Sequence, residues 1–160
     1  MVKKENQIMA DKLTSEQRSW NMRQIKSKDT QIEIAVRRWL FARGFRFRKN
    51  DQRYPGKPDI VLPKYNTVIF INGCFWHRHE NCKLATTPKT RTEFWLEKFE
   101  RNIENDKSHR QQLESMGWKV ITLWECELKK DKFEDTMSRL ESLLRDCNKQ
   151  DKGAECEDEK

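Results

Sequence analysis

The sequence predicts one α/β domain in which helices cover a mixed sheet. Three observations carry that reading. The apolar residues, 35% of a 160-residue chain, are clustered rather than diluted among the charges, so a packed core fits. Their spacing switches along the chain between the helical period of about 3.6 and the strand period of 2. The segments run as two helices, a set of strands, a long helix, a strand and a last helix, the order of a layered α/β architecture. The length leaves room for one ordinary domain, read as 13–147, with flexible ends over 1–12 and 148–160.

Each element has a local cause. Thr14 or Ser15 can cap a short basic helix reaching about Ser27, which Lys28-Asp29 breaks. A second helix spans about Gln31–Arg43: Thr30 and Glu33 have capping-box spacing, Ile32, Ala35, Val36, Trp39 and Leu40 make its stripe, and Gly44 stops it. Phe45 and Phe47 alternate with basic residues as a strand would. After the irregular turn Tyr54-Pro55-Gly56-Lys57-Pro58, residues 59–62 and 67–75 read as two strands joined by Pro63-Lys64-Tyr65-Asn66. Thr90 and Glu93 offer a second capping box for a helix from about Arg91 to Met116, closed by Gly117. Trp118–Trp124 has the composition of a buried strand. Phe133, Met137, Leu140, Leu143 and Leu144 mark an amphipathic helix over about 132–147.

The charge narrows the function. A net charge of +7 and a pI near 9.2 fit either plain solubility or a polyanionic partner such as nucleic acid. No apolar run approaches the ~18 residues of a membrane helix, and Met1–Lys12 lacks an apolar signal segment. The expected location is the cytoplasm, where five cysteines point to metal binding or free thiols rather than a disulfide framework.

Several residues carry chemistry. If the 59–75 hairpin turns about Tyr65, residues whose numbers sum to 130 are partners, so Asp59 lies beside the Ile71 backbone. A carboxylate plus that carbonyl suits Mg²⁺, which takes few protein ligands; the alternative is an Asp that caps the turn after Pro58. The run from Ile71 to His79 gathers Cys74, Phe75, Trp76, His77, Arg78 and His79 at one strand end. Cys74, His79 and Cys82 cluster, and Cys126 follows the last strand; together they make a set typical of structural Zn²⁺, against three buried thiols and a free imidazole. Either histidine suits proton transfer or zinc, and spacing does not choose. Asp106 sits on the inward stripe of the long helix, where an acid needs a partner. Glu33 lies at the edge of its own stripe. Phe75, Trp76 and Trp95 suit a core or an exposed aromatic wedge. Arg18, Arg23, Lys26, Lys28, Lys89 and Arg91 suit either a solvated face or phosphate contacts.

Taken together, Asn21-Met22-Arg23, Asp29-Thr30 with Ile32-Glu33, Pro55-Gly56-Lys57-Pro58-Asp59, Gly73-Cys74-Phe75-Trp76-His77, Thr90-Arg91-Thr92-Glu93-Phe94-Trp95 and Trp124-Glu125-Cys126 resemble the very short patch repair (Vsr) endonuclease family over about residues 10–130. The resemblance implies a restriction-endonuclease-like fold. It also implies Mg²⁺-dependent nicking of one strand of duplex DNA beside a T:G mismatch left by 5-methylcytosine deamination. The wider superfamily follows its Pro-Asp with an acid–any–Lys triplet; here Ile71-Asn72-Gly73 stands there. The resemblance therefore assigns Asp59 and the Ile71 carbonyl to Mg²⁺, His77 to proton transfer with Asp106 as its partner, and Glu33 to the metal's water shell. It assigns Cys74, His79, Cys82 and Cys126 to structural zinc, Phe75, Trp76 and Trp95 to a wedge, and Arg23, Lys26 and Arg91 to DNA. Expected partners are mismatched DNA, mismatch-repair proteins and a repair polymerase, with the enzyme a monomer at the nucleoid. Two other functions fit the residues less well: an inactive zinc DNA-binding module, and a restriction nuclease that cuts paired DNA.

Overall fold

A computed structural model describes residues 13–25 and 28–152, with backbone alone for 147–152. Residues 1–12, Lys26, Ser27 and 153–160 lie outside the described residues, so the expected N-terminal lead, most of the C-terminal tail and the Lys26 assignment are untouched by it. Contacts divide the chain into two units that meet at Thr30 and Gln31.

In the first unit, helix α1 spans Ser15–Gln24. Thr14 caps it: the Thr14 hydroxyl accepts from the Gln17 N–H, and the Gln17 side chain accepts from the Thr14 N–H. The helix buries none of its residues, and Arg23 is exposed.

In the second unit, α2 (Gln31–Ala42) leads to β1 (Arg48–Lys49), β2 (Ile60–Leu62), β3 (Thr67–Asn72), α3 (Thr92–Ser115), β4 (Lys119–Trp124) and α4 (Phe133–Lys152). The sheet runs β1-β2-β3-β4. The first two pairings are antiparallel and β3–β4 is parallel, as a crossover through α3 requires. This is the expected mixed sheet with helices, consistent with a restriction-endonuclease-like fold. Period-two alternation divides its faces. Ile60, Leu62, Ile69 and Leu123 join Val36, Trp39 and Leu40 of α2 and Met137, Leu140 and Leu144 of α4 in one core cluster. Val61 and Val68 join Leu113 of α3 in the other. Leu140 is 1% exposed; Leu140→Ala would cost ~2–5 kcal/mol.

Several local expectations are corrected. The strand expected at Phe45 and Phe47 begins at Arg48, because α2 ends in a Schellman turn. Gly44 at φ +85 donates to Phe41 O, and Phe45 N reaches back to Leu40 O. The β2–β3 register sums to 129, not 130: Ile60 pairs with Ile69 and Leu62 with Thr67. Four residues make the connection, a 3₁₀ turn over Pro63–Tyr65 and Asn66 in left-handed backbone at φ 45, so the turn is centred between Lys64 and Tyr65. The second strand ends at Asn72, not Phe75, because His77 N bonds Gly73 O and His79 N bonds Cys74 O, turning the chain. Helix α3 starts at Thr92, not Arg91. Arg91 is its N-cap at φ 53 with no side-chain cap bond, so the Thr90–Glu93 box does not open it. Strand β4 is half-buried, with Leu123 its one buried residue.

Candidate functional site

The site grows from the ends of β2 and β3. Asp59 immediately precedes β2, and one of its carboxyl oxygens accepts from the Ile71 N–H at 2.6 Å. The expected neighbours therefore meet despite the shifted register, because the side chain reaches diagonally to Ile71. Burial pushes the Asp59 carboxyl up to about 6, and the nearby Glu33 charge adds to that; the Ile71 N–H, Arg37 and His77 oppose it. A carboxyl raised by burial and a second acid is one whose charged form gains most from a cation. Glu33 is 5% exposed and lies one helical turn from Arg37, 3.9 Å from its guanidinium.

Beyond β3, the turn from Gly73 presents His77. Its Nδ1 lies 2.5 Å from an Asp106 oxygen of α3. An ionised Asp106 only accepts, so it selects the Nδ1–H tautomer and leaves Nε2 as the free acceptor. Asp106 thus has a partner, but the expected inward stripe is corrected: Ile103 is exposed and the Asp106 side chain keeps 37% of its surface exposed. On the same face of α3, one turn earlier, the Asn102 amide donates to the Trp76 carbonyl at 2.9 Å. One turn later the His109 ring lies against Gly56 in the loop that leads to Asp59. A Cβ added at Gly56 would come within 2.9 Å of that ring, and its φ of +73 itself favours glycine.

The four predicted thiol and imidazole ligands also meet. One donor atom each from Cys74, His79, Cys82 and Cys126 lies within 4.8 Å of the others. His79 Nδ1 is 3.7 Å from Cys74 Sγ and 3.2 Å from Cys126 Sγ. The edges of a tetrahedral zinc site with Zn–S near ~2.3 Å and Zn–N near ~2.0 Å are about 3.5–3.8 Å, so the donor set fits such an ion. Burial pushes the Cys74 thiol up to about 12, while a hydrogen bond from the Leu84 N–H pulls Cys82 down to about 7. Cys126, like Cys74, is raised by burial, so holding all three as thiolates would take a shared cation. The His79 ring stacks on Trp124, 4.2 Å between centroids and 10° from parallel, which ties the turn to the end of β4.

Phe75 is the hub of an aromatic cluster. It makes edge contacts to Trp76 (5.1 Å), Trp95 (5.6 Å) and Phe99 (5.2 Å). Phe99 is buried, whereas Phe75, Trp76 and Trp95 are half-buried. The Lys98 ammonium lies 5.1 Å from the Trp76 ring and 5.6 Å from that of Trp95, and the exposed Arg91 covers Phe94 at 4.7 Å. Arg23 belongs to the first unit. Arg37, Asn102 and His109 were missed from sequence. Asn102 and Arg37 had a signal, one helical turn from Asp106 and Glu33. The His109–Gly56 approach had none, being tertiary.

The profile of the family described as DNA mismatch endonuclease Vsr matches residues 10–84. Type II nicking enzyme V.NmeAIP of Neisseria meningitidis serogroup A is 51% identical over 138 residues, 86% of this chain and 96% of its own. DNA mismatch endonuclease Vsr of Escherichia coli K12 is 46% identical over 76% of this chain and 77% of its own. Type II nicking enzyme V.XorIIP of Xanthomonas oryzae pv. oryzae is 42% identical over 75% and 88%.

Proposed function

The chain belongs to the DNA mismatch endonuclease Vsr family, a family of nucleases, and from that premise we propose that it nicks one strand of duplex DNA beside a T:G mismatch, with Mg²⁺ as catalytic and Zn²⁺ as structural ion. The observation that carries the reading is the His77–Asp106 pair, near enough to Asp59 for its charge to bear on that carboxyl. A base beside an acid that favours a cation is what phosphodiester hydrolysis needs.

Asp59 and the Ile71 carbonyl would hold Mg²⁺, with Glu33 reaching its waters; the ion supplies charge neutralisation at the phosphate. His77 Nε2 takes the proton from the attacking water, while Asp106 fixes the ring and stabilises the imidazolium. The water oxygen bonds to phosphorus as the bond to the leaving 3′-oxygen breaks, and that oxygen takes a proton from solvent. Cys74, His79, Cys82 and Cys126 would hold zinc, which would stiffen the turn that carries His77. Phe75, Trp76 and Trp95 enter the base stack where a mismatch has weakened it. Arg23, Lys26 and Arg91 contact phosphates. Such DNA arises by deamination of 5-methylcytosine, and we propose that the enzyme acts on it at the nucleoid as a monomer, ahead of a repair polymerase and beside mismatch-repair proteins. Among the described residues, no helix is long and apolar enough to cross a membrane.

The test is incubation with Mg²⁺ on matched and T:G duplexes, resolved on denaturing and native gels. Single-strand cuts confined to T:G DNA are expected. Double-strand cuts on matched DNA would make it a restriction nuclease, and binding without cuts an inactive module.

A further inference from the structure

Two segments of the chain reach one face of α3. Asn102, Asp106 and His109 are spaced to share that face, and all three are half-buried. The Asn102 amide holds the Trp76 carbonyl and Asp106 holds His77, so both secure the turn that follows β3. His109 meets the other segment. A Cβ built on Gly56 would lie 2.9 Å from His109 Cγ and Nδ1 and 3.0 Å from its Cβ. The side chain therefore rests on bare backbone, in the loop that leads to Asp59. Gly56 belongs to a turn closed by the Lys57 N–H, which donates to the Tyr54 carbonyl at 3.1 Å. Pro55 and a glycine at φ +73 suit the two central positions of a type II turn. With the Ile71 N–H bonded to the Asp59 carboxyl at 2.6 Å, the contacts close a ring: Asp59, β3, His77, Asp106, His109, Gly56 and back to Asp59.

Anchoring the loop does not by itself call for this contact. Tyr54 already ties the turn to the fold, its ring meeting Trp118 edge-on at 4.9 Å, and the Asn50 N–H donates to the Asp59 carbonyl at 3.2 Å. His109 adds a direct spacing between the loop and the stretch of α3 that carries Asp106. We propose that His109 is a positioning residue, whose contact with the Gly56 backbone sets Asp59 at its working distance from the His77–Asp106 pair. The inference rests on the reading of those three residues as the nicking site. The contribution is one of shape. The atoms that meet Gly56 are Cβ, Cγ and Nδ1, and an asparagine places atoms at the same three positions. Hydrolysis needs the acid and the base to address one phosphate together, so a loop shift on the order of 1 Å slows the chemistry while leaving the hold on DNA unchanged.

The experiment compares the full-length protein with His109→Ala, His109→Ser and His109→Asn on a T:G duplex with Mg²⁺. It reads single-turnover nicking rate, DNA affinity without Mg²⁺, and melting temperature. His109→Ala and His109→Ser should nick about tenfold more slowly with wild-type DNA affinity, and either one decides if the other fails to fold. His109→Asn should return to within about threefold of the wild-type rate, because it restores the atoms that touch Gly56. In a His77→Ala background there is no base left to align, so adding His109→Ala should slow nicking by less than about twofold more. A residue that only supports the fold would slow both backgrounds equally, and that result would overturn the inference. So would wild-type rates in the truncated variants, or an asparagine variant as slow as they are. Wild type that leaves the T:G duplex uncut would instead overturn the reading of the nicking site.

Discussion

His77 and His79 are two residues apart, yet they belong to regions built on opposite principles. Around His79 the donors turn inward: three sulfurs and one nitrogen lie within 4.8 Å of one another, and the ring is stacked on Trp124. Around His77 the groups are spread. Asp106 holds one ring nitrogen and the other is free, Asp59 is engaged at one carboxyl oxygen by the Ile71 N–H, and both members of the His77–Asp106 pair keep about a third of their side-chain surface exposed. A closed, mutually satisfied cluster stabilises a fold, whereas an open one with free lone pairs is arranged for something not yet present. The two share the turn from Gly73, so the closed cluster sets the position of the open one.

The largest effect should come from the open region. Asp59→Asn should abolish nicking and leave DNA affinity unchanged or tighter, because one anion near the phosphate is gone; gel assays with a binding titration check it. His77→Ala should slow nicking by ~10²–10⁴, the usual loss for a missing general base, while keeping zinc and its melting temperature. His79→Ala should do the reverse, losing zinc and stability. Zinc content, melting temperature and nicking rate on both variants decide the contrast, and exchanged behaviour would mean the two roles are exchanged.

The closed region predicts stability. The protein should carry about one zinc per chain by elemental analysis, and Cys126→Ala should lose it and several kcal/mol of stability, since structural zinc contributes folding energy directly. The aromatic cluster around Phe75 gives a third contrast. Trp76→Ala and Trp95→Ala should lower the preference for T:G over matched DNA more than total affinity, because phosphate contacts dominate affinity. Competition binding with the two duplexes would show it, and undiminished preference in both would end the wedge reading.

The closed cluster was the more legible from sequence. Its ligands are chemically rare and three of them fall between Cys74 and Cys82, so spacing announces them. The open site was legible only in pieces. Asp59 followed from the hairpin, even though Asn66 in left-handed backbone moved the register by one residue. That His77 meets Asp106 was beyond any local pattern, for it depends on how α3 crosses from β3 to β4. The core faces were plain from alternation, whereas helix starts were not. Thr90 has the residue type and spacing of a cap, but Thr92 donates its hydroxyl to Pro88 and Lys89 carbonyls and the helix begins there.

The smallest effect is the most specific to the open region. Burial holds the Asp59 carboxyl at about 6 in the folded, metal-free protein against an ordinary 3.8. A carboxyl raised on folding is one whose ionised form disfavours the fold. Below about pH 4 it is protonated in both states and contributes nothing. As pH rises towards 6 the unfolded chain releases the proton first, and stability falls; above 6 both states are ionised and the loss is complete. Asp59→Asn removes that penalty. The melting temperature of the metal-free variant should match wild type near pH 4, exceed it increasingly up to about pH 6.5, and hold a constant lead above. Taking the difference between the two proteins cancels the opposite trend expected of the proposed zinc cluster, whose ligands would protonate and release an ion in acid. Added Mg²⁺ should shrink the lead at neutral pH, because the ion stabilises only the protein that retains the carboxylate. A lead that stays the same from pH 4 to 7 would mean that Asp59 is no more strained by burial than a surface acid, and the open site would lose its demand for a cation.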